Sequence, residues 1–136
     1  MADVIGGGRE DSQRLALQAR ILQSNAEEMR QQLLSIRQAA QEIAATIASL
    51  GALSSAREEA LFPLGSGAFV KGKVTGDDVL VEAGARVVVE KPVEDAKALL
   101  NSRLAELDSA SKRMEQELGA VLKRLDEVGM LLSREE

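Results

Sequence analysis

The segment that comes nearest to carrying chemistry is Gly67-Ala68-Phe69-Val70-Lys71-Gly72-Lys73-Val74. Its two outer glycines and Lys73 fill the first seven positions of a loop that cradles nucleotide phosphates with backbone N–H groups and a lysine. The eighth position of such a loop carries a Ser or Thr hydroxyl for Mg²⁺, and here it is Val74. The loop must also leave a strand and open a helix. Instead, Ala68, Val70, Gly72 and Val74 alternate with Phe69, Lys71, Lys73 and Thr75, which is the period of a strand. A solvated strand face, with Lys71 and Lys73 discouraging edge-to-edge pairing, accounts for the same residues. The chain has no Cys and no His. That removes thiolate nucleophiles, disulfides, the commonest general base and the commonest metal ligands. Carboxylate-bound Mg²⁺ and Lys-based chemistry stay open on composition; the expectation is a protein that is not an enzyme and uses neither cofactor nor metal.

Charge and targeting narrow the class further. Lys and Arg number 17 against 22 Asp and Glu, for a net charge of −5. A face that binds nucleic acid needs clustered cations, so no nucleic-acid partner is expected. No run reaches the roughly 18 apolar residues of a membrane span, so no membrane partner is expected either. The start, MADVIGGGRE, lacks the basic and apolar regions of a signal peptide. A cytoplasmic protein is the default reading.

Elements are legible from spacing. Hydrophobic residues make up 45% of the chain and aromatics only 1%. An apolar mass of Ala, Leu, Val and Ile suits long helices with a narrow seam. Leu15, Leu22, Met29, Ile36, Ile43 and Leu50 recur every seven residues. Ala19, Ala26, Leu33, Ala40 and Ile47 follow members of that set by four. These are the d and a positions of a heptad helix. Gln13, Gln18, Gln23, Gln31, Gln32, Gln38 and Gln41 keep the remaining surface of this helix polar. A second heptad helix runs through Val93, Leu100, Leu107, Met114, Val121 and Val128, with Lys97, Leu104, Ser111, Leu118, Leu125 and Leu132. Lys97 and Ser111 are its polar exceptions. Pro92 suits the first helical position, and Glu94 and Asp95 favour the positive end of the helix dipole. Gly119 and Gly129 fall off the seam and weaken the helix by up to about 1 kcal/mol each.

Between the helices the pattern changes to Gly-punctuated, Val-rich runs. Leu61–Leu64, Ala68–Thr75, Val79–Glu82 and Arg86–Glu90 read as strands of two consecutive hairpins, with Pro63 confining the first to an edge. The expected organisation is a flexible tail over 1–9 around Gly6-Gly7-Gly8, a first coiled-coil helix over 10–58, hairpins over 60–91 and a second helix over 92–134. The fold class is α+β, mainly α: a long antiparallel two-helix coiled coil with two β-hairpins inserted between the helices. The layers pair so that Leu15 faces Leu132, Ala26 faces Val121 and Ile36 faces Ser111, with Lys97 near Leu50. Isolated hairpins are marginal in water, and Val87-Val88-Val89 is apolar on both strand faces. Oligomerisation through the strands is therefore expected. Near the chain ends, Leu17 and Met130 at f and Leu131 at g lie off the seam, as exposed apolar residues that invite binding. Val4 and Ile5 offer a further hook.

Residues 61–107 also resemble the α-class subunits of the prefoldin family, in their archaeal form. The resemblance is carried by Pro63-Leu64-Gly65-Ser66-Gly67 leading into Phe69-Val70-Lys71-Gly72, by Gly84-Ala85 before the Val run, and by Glu90-Lys91 and Ala96. The flanking heptads match in order and length; Pro92 replaces a residue that is usually polar or acidic. The resemblance implies an ATP-independent chaperone in which two α and four β subunits assemble through their hairpins. The coiled-coil tips would hold unfolded proteins and deliver them to a group II chaperonin. Phe69, Val70, Val79, Val81, Val87 and Val89 would then serve assembly. Leu15, Ala16, Leu17, Ala19, Val128, Met130, Leu131 and Leu132 would serve client binding. The alternative is a structural spacer or adaptor whose coiled coil docks one dedicated protein partner.

Overall fold

The computed structural model of the chain describes residues 2–53 and 58–135, and the side chains of residues 8–53 and 58–134. A long helix α1 (Ala2–Ala52) is followed by strands β1 (Ala60–Gly65), β2 (Ala68–Gly72), β3 (Asp78–Gly84) and β4 (Val87–Pro92), then by helix α2 (Val93–Glu135). The strands form two separate antiparallel pairs, β1–β2 and β3–β4. This is the mainly helical fold with two inserted hairpins that the periodicities imply.

Several boundaries differ from the sequence reading: β2 ends at Gly72 and not Thr75, Arg86 lies in a turn before β4, and the ends of α1 and the start of α2 shift. Helix α1 starts at Ala2, so residues 2–9 are helical and not a separate tail. A glycine costs a helix about 1 kcal/mol relative to Ala, but extending an existing helix needs no new nucleus. The side chains of Val4 and Ile5 lie outside the described ones. Helix α1 also ends at Ala52 and does not reach residue 58; residues 54–57 lie outside the described residues, and Ala60 already belongs to β1. Pro92 closes β4 and does not open α2. It pairs with Asp78 at the end of the β3–β4 ladder, where a missing N–H costs little. The next residue, Val93, donates its N–H to the Asp77 carbonyl at 3.1 Å, which satisfies one of the free donors at the start of α2. Glu94 and Asp95 occupy its first turn.

The chain forms two compact units. The first comprises Met1–Gln38 and Asp108–Glu136. Within it the heptad positions lose exposure. Ala26, Leu33 and Val128 are buried, and Leu15, Leu22, Met29, Ile36, Met114, Leu118, Val121 and Leu125 are half-buried. Arg37 donates from Nη2 to Glu115 Oε1 at 2.7 Å, joining the helices at their e positions. Both side chains are about half exposed, so this bridge contributes no more than about 1 kcal/mol.

The second unit, Ala39–Leu107, holds the hairpins and the adjoining helix segments. Ala96 and Leu100 are buried there. Leu50, Gly51 and Lys97 line one cleft together with Asp77 and Glu94. The two hairpins share one construction. In the first, Gly65 precedes the two-residue turn Ser66-Gly67; in the second, Gly84 precedes Ala85-Arg86, and all six have positive φ. Both registers shift beside that glycine, between Pro63 and Gly65 and between Glu82 and Gly84. Two residues with φ > 0 give the turn that follows the right-handed twist of paired strands. In the first hairpin the Phe62 ring covers Gly72 so closely that an added Cβ would stand 3.1 Å from Cε2.

Candidate binding and assembly surfaces

On the coiled-coil unit, the sequence-derived binding residues fall into three groups. Leu17 and Met130 are more than half exposed, at 58% and 57%, and Leu131 is exposed to a lesser degree. Their heptad positions explain this, because f and g do not point into the seam. Leu15, Ala19 and Leu132 are half-buried seam residues, and Ala16 is exposed. Val128 has no exposed surface at all. Its expected place among surface contacts is therefore corrected: at d, it packs the seam and supports its neighbours. Ile21, 53% exposed, was missed. It stands four residues after Leu17, hence on the same helical face, and that spacing was present in the sequence.

The two glycines that weaken the helix, Gly119 and Gly129, line shallow surface grooves. Gly129 lines a shallow groove on α2 with Leu122, Leu125 and Met130. Gly119 lines another with Leu33, Leu34, Leu118 and Leu122. Nothing lies within 4 Å of where a Cβ would stand at either glycine, so an added side chain there would meet open space.

On the hairpins, Phe69, Val70 and Val87 are exposed. Val79, Val81 and Val89 are half-buried and alternate with exposed neighbours along β3 and β4. The exposed apolar residues of the second hairpin are instead Leu80, at 74%, with Val87 and Val88. Leu61 and Leu64 add to the first. Because Val87-Val88-Val89 is apolar throughout, its alternation gives no clue to which face turns inward. The phosphate-loop reading ends here. Gly67 sits in a hairpin turn, Ala68–Gly72 is strand β2, and the next element is strand β3 with no helix between. Lys71 is an exposed strand residue paired with Leu61. Among the described residues no group of acidic side chains is placed to hold a metal ion, and no helix is long and apolar enough to cross a membrane.

Heptad helices that carry paired hairpins, with apolar residues exposed on both, define a coiled-coil subunit built to bind other chains. Residues 22–136 match the family model described as a prefoldin subunit. The chain is 30% identical over 123 residues to the prefoldin subunit alpha of Pyrococcus horikoshii, covering 88% of this chain and 83% of that one. It is 35% identical over 125 residues to the prefoldin subunit alpha of Methanocorpusculum labreanum, covering 85% of each. Against that of Methanococcoides burtonii, identity is 33% over 119 residues, with 85% and 86% covered. A chain from the cryo-EM structure of filamentous PFD from Methanocaldococcus jannaschii shares the fold. The TM-score is 0.54 and the identity 21%, over 88% of this chain and 96% of that one. The chain belongs to the prefoldin family of chaperone subunits, on the side of its alpha subunits.

Proposed function

We propose that the chain is the α-class subunit of a cytoplasmic hetero-hexamer of two α and four β subunits. The complex holds unfolded proteins at its coiled-coil ends without ATP and passes them to a group II chaperonin. The observation that carries the holding role is the exposure of Leu17, Ile21, Met130 and Leu131 outside the seam of the coiled coil. Apolar groups on a coiled-coil surface gain by covering the apolar segments of an unfolded chain. Flexible Leu and Met side chains accept many shapes. No catalytic group is required for such a role.

The test is aggregation of a chemically denatured client, followed by light scattering without nucleotide. The complex of this chain with a β-class prefoldin subunit is expected to suppress it. Leu17→Ser combined with Met130→Ser and Leu131→Ser is expected to lower this chain's contribution while the complex still assembles. A complex that slows aggregation of no unfolded client would sink the holding role. A single stoichiometric ligand, with no affinity for unfolded chains, would favour the adaptor reading. Native mass measurement decides the subunit count.

A further inference from the structure

Hydrogen bonds tie the second hairpin to α2 both near its base and near its turn. Near its base, the Val93 N–H donates to the Asp77 carbonyl at 3.1 Å. Near its turn, Arg103 Nη2 donates to the Glu82 carbonyl at 2.7 Å. The two separations agree. Five strand residues from Asp77 to Glu82 span about 17 Å, and ten helical residues from Val93 to Arg103 span about 15 Å. The strand therefore runs alongside the first turns of the helix. Arg103 shares its g position with Ala96, which is wholly buried and small enough to let a strand approach. The Glu82 carbonyl is available because the β3–β4 register shifts just after it, and a guanidinium is well suited to a backbone oxygen there. Among the described residues no hydrogen bond joins the first hairpin to a helix.

We infer that Arg103 is a positioning residue for assembly. By holding β3 against α2, it turns Val79, Val81 and Val89 toward the helix and presents Leu80 and Val88 to the partner subunit. The inference deepens the proposed assembly role of the hairpins and rests on that reading, but the pin itself is testable on the free chain. Without the guanidinium, the hairpin keeps its attachment to α2 at the base but loses the hydrogen bond near its turn, and the turn end moves more freely. The face offered to a partner is then no longer set in advance, and pre-setting a surface is one way in which association is made less costly.

The variants are Arg103→Met, which keeps the apolar stem, and Arg103→Lys, which restores a single donor. Amide hydrogen exchange on the free chain is expected to quicken about tenfold in β3–β4 for Arg103→Met, with β1–β2 and the helical circular dichroism unchanged. The dissociation constant for a β-class prefoldin subunit is expected to rise about tenfold in Arg103→Met and to recover in Arg103→Lys. Wild-type exchange rates in Arg103→Met, or equal acceleration in both hairpins, would overturn the pin. Faster exchange at β3–β4 with unchanged assembly would overturn its role in presenting the surface. Failure of the wild-type chain to assemble counts against the proposed function instead, and the exchange comparison still decides the pin.

Discussion

Val128 and Met130 stand two residues apart on α2 and have opposite duties. Val128 is wholly buried and Met130 mostly exposed. Val128→Ala removes two methyl groups from a filled seam and is expected to cost about 2 kcal/mol, read as a lower urea midpoint. Met130→Ser is expected to leave that midpoint within about 0.5 kcal/mol while weakening suppression of client aggregation. If the Met130 variant lost as much stability as the Val128 variant, the assignment of these two residues would be reversed. The turn of the second hairpin carries its own signature. Arg86 sits at φ 64°, where a side chain costs about 1–2 kcal/mol and glycine forfeits less than that in chain entropy. Arg86→Gly is expected to stabilise the chain by about 0.5–1 kcal/mol in thermal denaturation. Gly72 behaves in the reverse sense. Gly72→Val would drive a branched side chain into the Phe62 ring, already 3.1 Å from a Cβ there, and loosen β1–β2 in hydrogen exchange.

At the scale of elements, the helices were readable and the strand faces only half so. A seven-residue repeat admits one buried stripe, so Ala26, Leu33 and Leu100 could be assigned inward from spacing alone, and they are buried. Ser111 is the seam's polar interruption and is half-buried. Ser111→Leu is expected to add about 1–2 kcal/mol by extending the apolar stripe; destabilisation in the urea midpoint would mean that the hydroxyl is needed where it stands. The strands lack such a rule. Leu80 lies between two valines, and Val87, Val88 and Val89 are interchangeable by composition. Only the folded structure separates the half-buried Val79, Val81 and Val89 from the exposed Leu80 and Val88. The turns were legible as Gly65-Ser66-Gly67 and Gly84-Ala85, but the identical glycine-before-turn construction became visible only as backbone angles.

At the scale of the whole molecule, the proposed division of labour has a direct test. Deleting residues 1–19 together with 128–136 is expected to weaken client holding and leave assembly intact by native mass measurement. Loss of assembly instead would put the binding and assembly surfaces in the wrong places. The sequence by itself determined two heptad helices, two hairpins between them and the absence of imidazole or thiol chemistry. Each of these follows from residue type and period, which are local properties. The tertiary structure decided which apolar residues remain available. Val128 is withdrawn into the seam, Ile21 joins Leu17 on the outside, and Gly119 and Gly129 line grooves. It also showed which residues of the second hairpin are exposed, Leu80 and Val88, and which are half-buried, Val79, Val81 and Val89. Burial and hydrogen bonding between residues distant in sequence depend on what each element packs against, and no period within one element records that.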